Sequence, residues 1–183
     1  SHWTHQDFSD HIYNHEYVIA DPEYVRARPY HFAREIINIF GTRRDQIKHL
    51  DYGGGDGLTT EILNQYGWSS ITYDPYGKSN SELPQGKFNL ISCFEVFEHH
   101  PNTQQMMKEI SELLDDQGIL LFTTGCYENE VPANNILSFW YISPRNGHIS
   151  IFTKKSLITL AHRFGLNIAF DFYGMILMFK NMP

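Results

Sequence analysis

The sequence predicts an α/β domain with a mostly parallel sheet, on three observations. Short β-prone apolar runs alternate with amphipathic segments, a glycine cluster follows the first of those runs directly, and the C-terminal end carries a hairpin signal. A chain of 183 residues is the size of one ordinary domain, and its 42% apolar and 19% charged residues are the balance of a folded protein rather than a disordered one.

Pro29 opens the first clear helix, in which Phe32, Ile36, Ile37 and Phe40 recur at helical spacing until Gly41 stops it. Residues 47–52 then form a short strand with Asp51 near its end, leading into the tight turn Gly53-Gly54-Gly55-Asp56-Gly57. Leu58, Ile62, Leu63 and Tyr66 share one face of a second helix, closed by Gly67, and residues 70–74 read as a second strand before Pro75. The apolar density of residues 88–96 suits a central strand buried on both faces. A helix follows from near Pro101 and Asn102, with Met106, Ile110, Leu113 and Leu114 facing inward and Gly118 ending it. Residues 119–124 form another strand, and Thr153 caps a helix whose Leu157, Leu160, Ala161 and Phe164 keep helical spacing until Gly165. Two last strands, 167–172 and 175–180, are separated only by Tyr173-Gly174, which predicts a hairpin and an antiparallel strand at or near the sheet edge.

Charge and composition narrow the function. Fourteen basic against twenty-one acidic residues leave a net charge of −7 with no basic stripe, so nucleic acid is not the expected partner and a small acceptor fits better. No apolar run approaches the roughly 20 residues that span a bilayer, and no signal-peptide pattern is present. Cys93 and Cys126 read as free thiols of a reducing compartment, so a cytoplasmic location is expected. The chain begins Ser1-His2 without an initiator methionine and reads as an excised domain or one carrying a processing scar.

The glycine spacing carries the chemistry. A loop that receives a ligand at the carboxyl end of the first strand needs glycines, because side chains there would keep the ligand off the backbone. Asp51-x-Gly53-x-Gly55-x-Gly57 gives Gly-x-Gly-x-Gly, whereas the dinucleotide fingerprint needs its third glycine at the position of Leu58. A tight turn in some other α/β fold also uses glycines, and Asp74 before Pro75 also suits a turn. Taken together, HLDYGGGDG and Asp74, twenty-three residues after Asp51, resemble the first motif and the second-strand acid of the class I S-adenosylmethionine-dependent methyltransferases. The stretch from Phe88 through Glu95, Glu98, His99 and Pro101 resembles that family's fourth-strand motif, and the likeness runs over roughly residues 47–170.

That resemblance implies a Rossmann-like, mostly parallel, seven-stranded type of sheet with helices on both faces and S-adenosylmethionine as cofactor. It implies that Asp51 orients the amino end of the cofactor's methionine moiety, that Gly53, Gly55 and Gly57 form the loop against it, and that Asp74, with Pro75 beside it, meets the ribose. Cys93 and Phe94 would line the adenine and sulfonium side, and Glu95 would sit near the reacting methyl. One departure stands out: thirteen residues, 75–87, separate Asp74 from Phe88, too few for the family's third strand and its helices, so that strand is expected to be shortened or trimmed to a loop. The whole chain, 1–183, then reads as one domain: an N-terminal helical segment (1–41), a cofactor-binding core (42–124), an acceptor loop or lid (125–152), and a C-terminal helix and hairpin (153–183).

Residues 125–152 run without a steady period, rich in Asn, Pro, Gly and aromatics, and loops of that length in compact domains are usually functional or disordered. They are read as a wall over the methyl group, joined by Tyr13, Tyr17 and Arg28, with Tyr17, Tyr141 and Arg145 as candidate acceptor contacts. A packed decorative insertion is the plainer alternative. Histidine titrates near neutrality, so His148 and then His99 are the candidate bases, with capping or packing the competing role for His148. His99 and His100 also suggest a metal, but adjacent side chains diverge and rarely close on one ion, so no metal site is expected. The expected activity is methyl transfer, to oxygen in preference to nitrogen, on a small metabolite such as a sugar. The alternatives are an inactive methyltransferase-like binding or scaffold domain and a nucleotide-dependent oxidoreductase.

Overall fold

Apolar side chains alternate to two buried faces at residues 88–94 and 114–123, within a set of four parallel strands. These strands are β1 (Lys48–Tyr52), β2 (Ser69–Tyr73), β3 (Phe88–Phe94) and β4 (Leu114–Thr123). β5 (Asn167–Phe172) and β6 (Met175–Phe179) complete a six-stranded sheet in the order β2-β1-β3-β4-β6-β5. This computed structural model describes residues 3–13, 17–23, 27–77, 80–127 and 139–181. Among the described part of residues 75–87 there is no strand, in keeping with the trimmed third strand.

β6 runs antiparallel between β4 and β5, pairing Ile119 with Phe179 and Asn167 with Phe179 on its two sides. The hairpin that sends it back is tight because both connecting residues hold positive φ, Tyr173 at 52° and Gly174 at 76°, the backbone of a two-residue turn that matches strand twist.

The helices are α1 (His5–His11), α2 (Tyr17–Ala20), α3 (Arg28–Phe40), α4 (Leu58–Gln65), α5 (Thr103–Leu113) and α6 (Lys154–Arg163). Two apolar layers separate cleanly by strand parity. Leu50, Ile91, Cys93, Leu120, Phe122, Ile176 and Met178 point to the side covered by α5 and α6, where Met106, Ile110, Leu157 and Ala161 pack. Leu90, Leu121, Met175 and Leu177 point to the other side, where Ala33 and Ile36 of α3 and Leu63 of α4 cover them. α1 is fixed by a capping box between Thr4 and Asp7, and it buries Phe8 in a small cluster with Ile12 and Tyr17. No helix among the described residues is long and apolar enough to cross a membrane.

The helix expected to run to Gly118 stops at Leu113. Leu114 is already extended and pairs with Phe88, while Ile119 pairs with Leu90, so residues 115–118 bulge out of β4. Helical periodicity carried no warning, because Leu114 is fully buried in the strand just as it would be on an inward helix face. Gly118 serves that bulge, since a Cβ there would come 2.9 Å from the Phe88 carbonyl oxygen.

Ile110 is fully buried between α5 and the sheet, whereas Ile71 on the edge strand β2 is 42% exposed. Ile110→Ala should therefore lower unfolding stability by about 2–5 kcal/mol. Ile71→Ala should cost less than about 1 kcal/mol. Urea denaturation of the two variants checks the assignment, and equal losses would contradict it.

Candidate functional site

The turn after β1 is drawn onto β2: the N–H groups of Gly53 and Gly54 donate to the Tyr73 carbonyl at 2.7 and 3.4 Å, and Gly57 N–H closes back on the Gly54 carbonyl at 3.0 Å. Gly53, Gly55 and Gly57 hold φ of 79°, 58° and 86°, a backbone region that side chains disfavour. At Gly54 the constraint is space, since a Cβ would collide with the Asp51 carboxylate and the Thr72 methyl. Gly57, at the N-cap of α4, leads the chain into that helix.

Two carboxylates stand at the ends of this turn. Asp74 accepts the Gly55 N–H at 2.8 Å and the Tyr76 N–H at 2.8 Å, so it is oriented by the loop on one side and by its own turn on the other. Asp51 is 3% exposed; its Oδ1 accepts the Ser92 hydroxyl at 2.6 Å, while its Oδ2 is buried with no hydrogen-bond partner among the described residues. Burial, opposed by the Ser92 bond and aided by the charge of Asp74, lifts the Asp51 carboxyl to about 6. A buried carboxylate oxygen without a donor is costly unless a ligand supplies one, and an ammonium group is the donor that suits it.

Behind Asp51 lies a polar chain through the sheet that sequence reasoning missed. His49 Nε2 sits 3.0 Å from Ser92 Oγ and its Nδ1 2.7 Å from Ser70 Oγ, which in turn meets Thr60 Oγ1 at 2.9 Å. Because Ser92 gives its one proton to Asp51, it accepts from His49 Nε2–H, and His49 Nδ1 must then accept from Ser70. Burial holds His49 neutral by pushing it down to about 3. The signal was present as His49 and Asp51, two residues apart on one face of β1, and Ser92 amid the apolar residues Leu90, Ile91, Cys93 and Phe94.

Above the turn opens a cavity of about 620 Å³, within the range of about 300–1,000 Å³ usual for small-molecule sites. It gathers Asp51, Gly53, Gly55, Asp74, Pro75, Phe94, Glu95, Tyr17 and His99 from the expected set, together with Arg28 and Tyr13. Gly57 is not in its lining, having served the turn. Cys93 lies on the other side of the sheet, fully buried against α5 and α6, because neighbours in a strand face opposite ways and Phe94 takes the cavity side. Phe32 and Tyr76 also line the cavity without having been foreseen; Phe32 stacks on Phe94 at 4.0 Å, and Tyr76 packs against Tyr13 at 5.0 Å.

A second polar cluster is arranged around Glu98. Glu95 breaks β3 with a φ of 54°, its N–H held by Thr123 Oγ1 at 3.0 Å. Tyr141, 4% exposed and outside the lining, donates its hydroxyl to Glu98. His148 also stands outside the lining, its Nδ1 2.7 Å from the Tyr141 carbonyl and its ring 4.9 Å from that of His99. His100 also lines the cavity, but its Nδ1 accepts the Asn102 N–H at 3.1 Å, whereas the His99 ring faces that of His148. Arg145 is exposed in the turn Pro144–Asn146 and does not reach the cavity. Residues 128–138 of the expected lid lie outside the described residues. Arg28, by contrast, faces the cavity and is held by both oxygens of Asp21 at 2.8 and 2.7 Å.

Residues 24–169 match the family model described as "Methyltransferase domain". A curated relative, the ubiquinone biosynthesis O-methyltransferase of Glaesserella parasuis serovar 5 (strain SH0165), is 32% identical over 57 residues, which are 31% of this chain and 24% of that protein. The magnesium protoporphyrin IX methyltransferase of Synechocystis PCC 6803, solved with bound S-adenosylhomocysteine, superposes with a TM-score of 0.57 at 14% identity, over 85% of this chain and 84% of that one. A putative methyltransferase of Bacillus halodurans C-125 gives a TM-score of 0.59 at 14% identity, over 75% and 69%. The chain thus spans about a quarter of the curated relative, and about three fifths of two further solved structures, one called TnmH and one an O-methyltransferase family protein from Burkholderia thailandensis. With a family model matched over most of its length, a glycine turn flanked by two carboxylates and an α/β sheet that superposes on solved methyltransferases, the chain belongs to the methyltransferase-domain family and has the class I fold of the S-adenosylmethionine-dependent enzymes.

Proposed function

We propose that this chain binds S-adenosylmethionine in the glycine-lined crevice and transfers its methyl group to an oxygen of a small-molecule acceptor, a sugar or comparable hydroxylated metabolite. The observation that carries the reading is the pairing of a turn stripped of side chains with the buried, donor-seeking Oδ2 of Asp51. Asp51 would hold the cofactor's amino end, Asp74 its ribose hydroxyls, and Phe94 with Phe32 its apolar surface. S-adenosylmethionine, when bound, supplies a methyl group already attached to a good leaving group, so the protein's task is mainly alignment. Tyr13, Tyr17, Arg28 and Glu95 would orient the acceptor at the open end of the cavity. Bound in the crevice, the cofactor would supply the methyl carbon while its sulfur kept the bonding electron pair, and the acceptor oxygen would take that carbon and give up its proton. His99 faces the cavity where His148 does not, but burial pushes it down to about 3, which makes it a poor base at neutral pH, so alignment of the acceptor rather than proton removal by His99 would carry the step. The curated relative is an O-methyltransferase, which favours oxygen as the acceptor atom, and the two free cysteines suit a reducing cytoplasm.

Calorimetric titration with S-adenosylmethionine, S-adenosylhomocysteine and NAD tests the reading. The first two should bind at one site, and Asp74→Ala should weaken them about 10- to 100-fold, the scale of hydrogen bonds lost from a charged group. Binding of NAD alone would overturn it, and binding without turnover on any hydroxylated acceptor would favour a scaffold.

The Asp51 pKa fixes the sign of a pH effect. Its folded value of about 6 lies above its ordinary 3.8, so the stability this group contributes is full below 3.8 and is lost as pH rises through 6. Ligand binding runs the other way, because only the carboxylate accepts an ammonium. Affinity for S-adenosylhomocysteine should be flat above about pH 6 and fall about tenfold per unit well below it. Ser92→Ala removes the bond that lowers this pKa, so the break should move to higher pH; an unmoved break would show that Asp51 does not govern it.

A further inference from the structure

We propose that Glu98, His99 and His148 form a site for one divalent transition ion of the zinc class, set into the wall at the acceptor end of the cavity. One ligand atom from each lies within 4.8 Å of the other two. The three residues come from two separate segments, and the backbone fastens these together: the N–H groups of Ile149 and Ser150 both donate to the Glu98 carbonyl, at 2.9 and 3.1 Å. Gly147, at a φ of 82°, brings the turn in close, since a Cβ there would come 3.2 Å from His99 Nδ1.

Each candidate ligand is prepared for a cation. His148 Nδ1 faces the Tyr141 carbonyl, which can only accept, so the neutral ring carries its proton there and leaves the lone pair on Nε2. That is the outer-sphere bond that fixes metal-binding imidazoles. His99 is only 7% exposed, and its Nδ1 is buried beside the Gly147 backbone without a hydrogen bond of normal geometry among the described residues. Glu98 is fully buried, steadied by the Tyr141 hydroxyl on Oε1 and by the Thr124 hydroxyl on Oε2 at 3.0 Å. A carboxylate has about four lone-pair sites, so two such bonds leave capacity for an ion. Two imidazoles and one carboxylate favour zinc or its neighbours over magnesium or calcium, which prefer all-oxygen shells. The pairing of His99 with His148, rather than with His100, is what the sequence alone could not show.

The site stands on geometry; its consequence for catalysis rests on the methyl-transfer reading. His99 carries the cluster to the cavity wall, so an ion there would draw electron density from an acceptor hydroxyl that reaches it and ease loss of its proton at neutral pH.

The test is a titration of the chelator-stripped full chain with Co²⁺, followed by its visible ligand-field absorption, with Zn²⁺ as competitor. One equivalent of Co²⁺ should bind and be displaced by Zn²⁺. His148→Ala and Glu98→Gln should each weaken binding at least tenfold, while His31→Ala and His162→Ala, at exposed positions, should leave it unchanged. S-adenosylhomocysteine calorimetry on each variant reports whether the crevice is intact, and if Glu98→Gln fails to fold, His148→Ala decides. Absence of a one-equivalent phase in the parent chain, or His148→Ala binding Co²⁺ as the parent does, overturns the site. Failure of the parent to bind S-adenosylhomocysteine would sink the methyl-transfer reading while leaving the cobalt result to stand on its own.

Discussion

The site depends on one constraint: the backbone leaving β1 must turn while pressed against β2, with two of its N–H groups on the Tyr73 carbonyl. Only residues without side chains can make that turn, because positive φ is needed at three positions and a Cβ at the fourth glycine of the cluster, Gly54, would strike Asp51. The same geometry lets Gly55 donate to Asp74 and places the two acids on either side of an open crevice. Fold and site are therefore one feature seen at two scales. Parallel pairing of β1 with β2 sets the distance, and the glycines permit it.

Burying the acid beside that crevice carries a cost, and the structure meets it with a directed chain of hydrogen bonds from Thr60 through Ser70, His49 and Ser92. Each member has one assignable role because the terminal carboxylate can only accept. Such a chain stays favourable only while every member is satisfied. It ends on Asp51 Oδ1, leaving Oδ2 for a donor from outside. A second polar cluster, around Glu98, sits across the cavity wall and is built differently. It joins two segments distant in sequence, with Tyr141 linking them by its hydroxyl to Glu98 and by its carbonyl to His148.

The parts legible in the sequence were those set by local spacing. The glycine turn, Asp74 before Pro75, the helix start near Asn102, the cap at Thr153 and the Tyr173-Gly174 hairpin all follow from chemistry within a few residues. Parity along β3 was readable too, since Ser92 and Phe94 must share a side and Cys93 must take the other, yet the resemblance placed Cys93 and Phe94 together. What stayed hidden required tertiary contact. Leu114 is buried equally well as helix or strand, so periodicity could not mark the end of α5. His148 meets His99 only because Gly147 lets the turn approach and the Glu98 carbonyl holds the following residues.

A crystal structure of the chain grown with S-adenosylhomocysteine tests the central claim most directly. The account predicts the ligand's ribose hydroxyls within hydrogen-bond distance of Asp74, its amino group on Asp51 Oδ2, and its chain lying against the backbone of residues 53–55. A ligand seated elsewhere, or a crevice closed by Val96 and Phe94 with Asp51 turned inward, would contradict it.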